Sequence, residues 1–319
     1  MLTRLMASLC AAVFLSSLGT AFAAAPMVKT QAPGFYRTLL GDFEVTVLSD
    51  GTFKIPVKTL LTHIKPAALD RALNQAFLPA QVETSDNAYL INTGSKLVLI
   101  DTGAAGLFGP SLGKLLSNLK AAGYSPEQID EIYITPLHPD HVGGLLQDGV
   151  MAFPNAIVRL DQAEADYWLS EANMKAAGPE LQGFFQGAMA ALKPYIAADK
   201  LKPFVGNTEL VPGIRAQTSH GHTAGHSIYV VSSKGEKLVL WGDLIHVAAV
   251  QFADPSVTIK FDTDAKAAAQ ERRNAFADAA KNGYLVGATH VAFPGLGRVR
   301  KDVGAKGDVW VPLNYSALQ

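Results

Sequence analysis

The stretch that most constrains this chain is Glu131 to Gly144, EIYITPLHPDHVGG. The apolar run Ile132-Tyr133-Ile134 reads as a short strand that feeds a loop carrying His138, Asp140 and His141. Pro139 stiffens that loop, and Gly143-Gly144 lets the chain turn away. A lone histidine after a strand is more often structural. Two imidazoles and a carboxylate between positions 138 and 141 are a set of metal donors, because both atom types suit zinc and similar divalent ions.

A second cluster, His220-Gly221-His222-Thr223-Ala224-Gly225-His226, lies further along. Its glycines let backbone pass close to a cation and let His222 point inward. These three histidines cannot all serve one ion. Asp243, after Trp241-Gly242, is the natural further donor, since a carboxylate can bridge two cations; its plainer role would be a turn or cap residue. His290, in GATHVAFPG, supplies one more imidazole. His63, ahead of Pro66, carries no such signal, and the sequence assigns no role to His226 or His246.

Around these clusters the pattern alternates strands with helices. Asp42 to Leu48 alternates as a strand, with a turn at Ser49-Asp50-Gly51. Pro66 to Phe77 reads as a helix with proline in its first turn. A hairpin follows, Asn87 to Asn92 and Lys96 to Ile100, ending at Asp101-Thr102-Gly103. Helices are expected over 111–122, 163–170, 181–196 and 264–281, with strands at 132–135 and 156–160. Residues 198–219 read as mostly extended. A second hairpin, His226 to Ser232 and Lys237 to Trp241, ends in KLVLWGD, much as the first ends in KLVLID. Each delivers an aspartate at the end of an apolar strand. A final strand pair is expected over 284–293. Strands covered by helices imply sheets packed between helix layers.

The chain of 319 residues is 49% hydrophobic, 17% charged and has a formal net charge of -1. It has no long basic run, so neither nucleic acid nor an anionic membrane is an expected partner. Arg4, the apolar run Leu5 to Leu18 and the small-x-small order Ala21-Phe22-Ala23 read as a signal peptide over residues 1–23, cleaved near Ala23. The run is short for a membrane span of about 20 residues. Residues 24–41 are expected as an N-terminal linker segment and 42–319 as the main folded domain. The expected location is periplasmic or secreted. Cleavage removes Arg4 and the sole cysteine, Cys10, leaving 26 basic against 28 acidic residues and no thiolate nucleophile or ligand. The triplet Asp101-Thr102-Gly103 occurs once, whereas aspartic proteases need two carboxylates sharing a proton. The chain has no His-Glu-x-x-His helix, no Gly-x-Ser-x-Gly elbow and no phosphate loop.

Taken together, Asp101-Thr102-Gly103, the His-x-Asp-His loop, GHTAGH, WGD and His290 resemble the metallo-β-lactamase superfamily. Within it, APGFYRTLLGDFEVTVLSDG at 32–51 and the leader look most like the methyl parathion hydrolase group. The resemblance implies an α/β fold, an αββα sandwich with a two-metal site between its sheets. It assigns His138 and His222 to one ion, Asp140, His141 and His290 to the other, and Asp243 as the bridge. Asp101 would orient the ligand loops. Zinc is the expected cofactor, as one or two ions, and other divalent metals suit the same donors. Phe108, Trp168, Phe184 and Phe185 are candidates for an apolar substrate pocket.

One position departs from the family's His-x-His-x-Asp-His pattern. Pro136 stands where the first histidine would be, and proline has no donor atom. The His138, His222 ion is then left with two imidazoles, the bridge and solvent, which implies close to one tightly held ion per chain. The sequence assigns no replacement; should two ions be held tightly, His220 is the first residue to examine.

The resulting expectation is an exported metallohydrolase that uses metal-activated water on neutral, apolar esters. Asp140 or Asp243 would orient the water and take up its proton. Organophosphate triesters head the substrate classes. A lactonase or arylesterase shares every metal residue. A metal-depleted, low-activity relative is the reading from a different class. The expected partner is thus a small ester, phosphotriester or lactone, and a homodimer is left open.

Overall fold

Four residues show how the strands are built. In Leu97–Ile100, Leu97 and Leu99 enter one hydrophobic cluster while Val98 and Ile100 enter another. A strand buried on both faces reads as a continuous apolar run, and LVLI is one. The neighbouring strand Gln81–Asn92 divides the same way, with Leu90 on one face and Tyr89 and Ile91 on the other.

The computed structural model describes residues 25–304 and 307–318. The expected leader lies outside them. Residues 33–319 form one compact unit, and no helix among the described residues is long and apolar enough to cross a membrane. A six-stranded sheet runs in the order Phe35–Leu40, Phe43–Pro56, Gln81–Asn92, Leu97–Ile100, Glu131–Tyr133, Ile157–Arg159. A seven-stranded sheet runs Thr208–Val211, Ile214–Thr218, Ser227–Ser233, Glu236–Leu240, Leu285–Gly287, Leu296–Lys301, Asp308–Pro312.

The two sheets share one core. Val47, Tyr89, Ile91 and Val98 of the first pack with Ile214, Tyr229, Val231 and Leu238 of the second. Each fully buried aliphatic or aromatic side chain contributes about 1.5–3 kcal/mol there. The first sheet's outer face packs on helices Leu115–Ala121, Gln162–Trp168 and Pro179–Ala197 through Leu119, Trp168, Phe185 and Leu192. The second sheet's outer face packs on helix Ala265–Asn282 through Phe276 and Ala279. The layers are therefore helix, sheet, sheet, helix: the αββα sandwich expected from the resemblance.

Leu97–Ile100 and Glu131–Tyr133 are parallel, as are Glu236–Leu240 and Leu285–Gly287. Within each pair both strands release their chains at the same end. Asp101 and the 134–141 loop leave one pair, and Asp243 and His290 leave the other.

Several local expectations are corrected. Ser49-Asp50-Gly51 is a bulge inside Phe43–Pro56, not a turn. The Asp50 carboxylate accepts hydrogen bonds from the backbone N–H groups of Ala104, Gly113 and Leu115, so it ties down the loop after Asp101 instead of reversing the chain. Phe35–Leu40, inside the stretch expected as linker, is an edge strand paired along its whole length. The helix expected from 111 starts at Leu115, because Gly113 takes a positive φ of 81°. Only Leu285–Gly287 of the stretch 284–293 is a strand. Its sheet continues through Leu296–Lys301 and Asp308–Pro312, and His290 sits in the intervening loop.

Candidate metal centre

The loop after Glu131–Tyr133 is held by Asp101. This residue takes a left-handed φ of 61°, and its N–H donates to Tyr133 O at 3.0 Å. Its Oδ1 accepts from Thr135 N at 2.8 Å. Its Oδ2 accepts from Thr135 Oγ1 at 2.6 Å and from His141 Nδ1 at 2.9 Å. The His141 carbonyl in turn accepts from Thr102 N and Thr102 Oγ1, both at 2.8 Å. His138 caps the short helix Pro139–Val142, which carries Asp140 and His141.

A second buried carboxylate ties the two metal loops together. Glu164 Oε1 accepts from Leu137 N, and its Oε2 accepts from Thr223 Oγ1 and Gly225 N, each at 2.7 Å. Burial raises its pKa against the pull of those donors. Asp243 is fixed through its backbone. Gly242 has a φ of 52°, and a Cβ there would lie 2.6 Å from Thr135 Cβ and 2.9 Å from His226 Nε2, so only glycine fits. Asp243 N donates to His226 Nε2 at 3.1 Å, while His226 Nδ1 donates to Ser219 O at 3.1 Å. Burial and the nearby His222 hold His226 neutral, with a pKa of about 3. His226 is thus committed to the backbone and is not a free donor.

The Asp243 carboxylate stands at the centre and sorts the donors. Its Oδ1 lies 3.0 Å from His141 Nε2 and 3.1 Å from His290 Nε2. Its Oδ2 lies 3.0 Å from His222 Nε2, 3.4 Å from His246 Nε2 and 3.9 Å from His138 Nδ1. Asp140 Oδ2 is 3.5 Å from His290 Nε2 and 3.9 Å from His141 Nε2. Three donor groups emerge, each within one ion's reach: His138, His222 and Asp243; Asp140, His141 and His290; and Asp243, His246 and His290.

Outer contacts orient most of these rings. His222 Nδ1 meets Asp262 Oδ1 at 2.8 Å, and His290 Nδ1 donates to Ser85 O at 2.9 Å. Ligating histidines commonly have their second nitrogen held in this way. Burial opposes charge on all of them. Asp243 and Asp262 nonetheless hold His222 at about 9, and Asp243 and Asp140 hold His290 at about 9. Burial wins at His138, driven well below its ordinary value, and at His246, lowered to about 4.

The chemistry of this donor set fits divalent cations. His141 Nε2 and Asp243 Oδ1 are buried, face each other at 3.0 Å and have no hydrogen-bond partner among the described residues. Such atoms are costly unless a cation satisfies them.

The structure brings together His138, Asp140, His141, His222, Asp243 and His290 as a single cluster. His220 is not a replacement donor. It is half exposed, with Nε2 3.5 Å from Asp161, and it is in none of the donor groups. His246 is in one, and the sequence reading missed it. Phe108 and Phe184 line a cavity of about 240 Å³ beside the donors, joined by Phe53, Ile55, Ile259 and Phe261. Trp168 and Phe185 do not line it. Both are buried in the helix-facing core, where Trp168 stacks edge-on behind the His138 ring with 5.2 Å between centroids. Their place on amphipathic helices, which bury one face, accounts for the difference.

The family model for the metallo-β-lactamase superfamily matches residues 83–290. A solved structure of hydrolase AbOPH in the β-lactamase superfamily superposes with a TM-score of 0.85 at 38% identity, covering 90% of this chain and 100% of that one. The structure of AidC, a dizinc quorum-quenching lactonase in complex with a product, superposes with a TM-score of 0.82 at 29% identity, covering 89% and 99%. An N-acyl homoserine lactonase of Bacillus cereus is 25% identical over 171 residues, a match spanning 48% of this chain and 60% of that protein. With the sandwich, the donor cluster and these matches in place, the chain belongs to the metallo-β-lactamase superfamily.

Proposed function

We propose that this metal-dependent hydrolase opens neutral, apolar lactones and esters, with N-acyl homoserine lactones the first class and organophosphate triesters the second. The observation that carries the reading is the wall of the cavity. Phe53 stacks on Phe108 at 5.8 Å, Phe108 meets Phe184 at 6.5 Å, and Phe184 meets Phe261 at 5.8 Å. This aromatic wall leads straight to Asp140, Asp243 and His290. A lactone with an acyl tail matches it: the tail lies on the rings and the polar ring meets the donors. The likeness to a dizinc lactonase along most of the chain supports this class. Phosphotriesters, neutral and similarly apolar, suit the same wall, and the 32–51 resemblance favours them.

Divalent ions held by the cluster would supply Lewis acidity and lower the pKa of water there to near 7. The chain's own part is placement. Asp243 shares its two oxygens between the halves of the cluster. Asp140 borders the cavity and is positioned to take up the proton as water adds to the carbonyl or phosphoryl centre. The aromatic wall excludes bulk water and orients the ester. Export through the leader over residues 1–23 belongs to the same proposal, and recovery of Met1 from exported protein would overturn that part.

The test is a substrate panel on zinc-loaded protein: N-hexanoyl-homoserine lactone, an aryl ester, a dialkyl aryl phosphotriester and an aryl phosphomonoester. Turnover of the neutral substrates is expected, with the monoester slowest. Preference for the anionic monoester, or no turnover of any neutral substrate, would overturn the reading.

A further inference from the structure

Pro136 removes a metal-binding imidazole from the sequence, and the fold places another where it can serve. We propose that His246, carried on the turn after Asp243, replaces the missing ligand and completes the ion site of His138 and His222. The inference rests on the two-ion reading above and adds a residue to it.

Three observations carry it. First, the two oxygens of Asp243 sort the imidazoles, and His246 Nε2 lies 3.4 Å from Oδ2, the oxygen that also faces His222 and His138. His141 and His290 face Oδ1. Second, the His246 ring comes as near to the His222 ring as His138 does, 4.9 Å between centroids in each case. Third, its backbone is pinned for the purpose. Gln251 Oε1, buried, accepts from His246 N at 2.8 Å and from Val247 N at 2.9 Å, and Gln251 Nε2 donates to Val257 O at 3.0 Å. The donor group that contains His246 is the one with Asp243 and His290, on whose ring it stacks at 5.3 Å. The site of His290 already has Asp140, His141 and the bridge, whereas the other has only two imidazoles and the bridge. Zinc prefers four ligands; the His290 site has four donors with the bridge and the other has three, so the open place is beside His222.

The experiment is zinc content after dialysis, with a zinc titration, on the full-length protein and on variants. The unmodified protein should hold two ions. His246→Ala, and His246→Phe, which keeps a ring between its neighbours, should each retain one and bind the second at least about tenfold more weakly. Ligand partnership then fixes which ion is lost. His138→Ala with His246→Ala should still hold one ion, whereas His290→Ala with His246→Ala should hold none tightly. Adding Pro136→His to His246→Ala should return the second ion. Thermal unfolding with and without zinc checks that each variant folds. Two tightly held ions in both His246 variants would overturn the inference, leaving His246 as a neighbour of Asp243 and not a ligand. Retention of one ion by the His290, His246 pair but none by the His138, His246 pair would overturn its placement. An unmodified protein that binds no zinc would instead sink the two-ion reading itself.

Discussion

The two sides of the Asp243 carboxylate are built to different standards. On the Oδ1 side, His141 is locked by Asp101 and His290 by Ser85 O, and Asp140 is carried on a short helix between them. On the Oδ2 side only His222 is held, by Asp262. His138 Nε2 and His246 Nδ1 are buried without hydrogen-bond partners among the described residues. Orientation of the outer nitrogen fixes tautomer and ring angle, so its absence weakens a ligand. Donor count alone therefore does not rank two ion sites. Both sides should hold an ion through dialysis, and the second should give its ion up first to a chelator.

The largest effect should come from removing what the two sides share. Asp243→Ala is expected to abolish tight binding of both ions and lower kcat/KM by more than about a thousandfold, since losing a single preorganised electrostatic group can cost 10²–10³. Metal analysis with unchanged stoichiometry would contradict its place between the sides. Next come the orienting carboxylates. Asp101→Asn and Asp262→Asn should each weaken zinc by about 10–100-fold, on the Oδ1 and Oδ2 sides respectively. Asp101→Asn should be the worse, because Asp101 also holds Thr135 through two hydrogen bonds. Equal losses from both ions in either variant would erase the distinction.

A third prediction uses His226, which supports Asp243 from behind. Its folded pKa of about 3 lies below the ordinary histidine value of 6.5. The unfolded chain therefore binds more protons between those values, and stability falls as pH drops from about 6.5 toward 3. His226→Gln should flatten that acid limb in denaturant melts across the range. An unchanged slope would mean that His226 is not the group responsible. The smallest effect should be at the pocket wall. Phe184→Ala is expected to raise KM for long-acyl lactones by about 3- to 10-fold and leave short-acyl substrates nearly unchanged. A uniform change across chain lengths would move the acyl site elsewhere.

Much of this was legible in the chain because it lies in local patterns. The His-x-Asp-His loop, GHTAGH and WGD each pack donors and glycines into a few residues, and the paired KLVL runs announce strands buried on both faces. What was not legible depends on distant contacts. His246 sits alone among apolar residues in DLIHV, and nothing in its neighbours points to a cation. Only the turn after Asp243, pinned by Gln251, brings it to the cluster. His220 shows the same limit: proximity in sequence to His222 still leaves it on the exposed side of the loop, near Asp161. Asp50 looked like a turn residue because Ser-Asp-Gly favours turns. Its carboxylate instead organises a loop more than fifty residues away in sequence. The last two strands, LGRVRK and DVWVP, carry weak alternation, and pairing along Gly297 to Lys301 supplies the rest.

The most direct measurement of the central claim is proton release from N-hexanoyl-homoserine lactone, followed through removal and return of zinc. Ring opening of a neutral lactone yields a carboxylic acid, so each turnover delivers one proton. Turnover should stop when a chelator strips the protein, return on adding zinc and be lost in Asp243→Ala. Turnover that persists in the stripped protein, or its absence from protein shown to hold two ions, would contradict that claim.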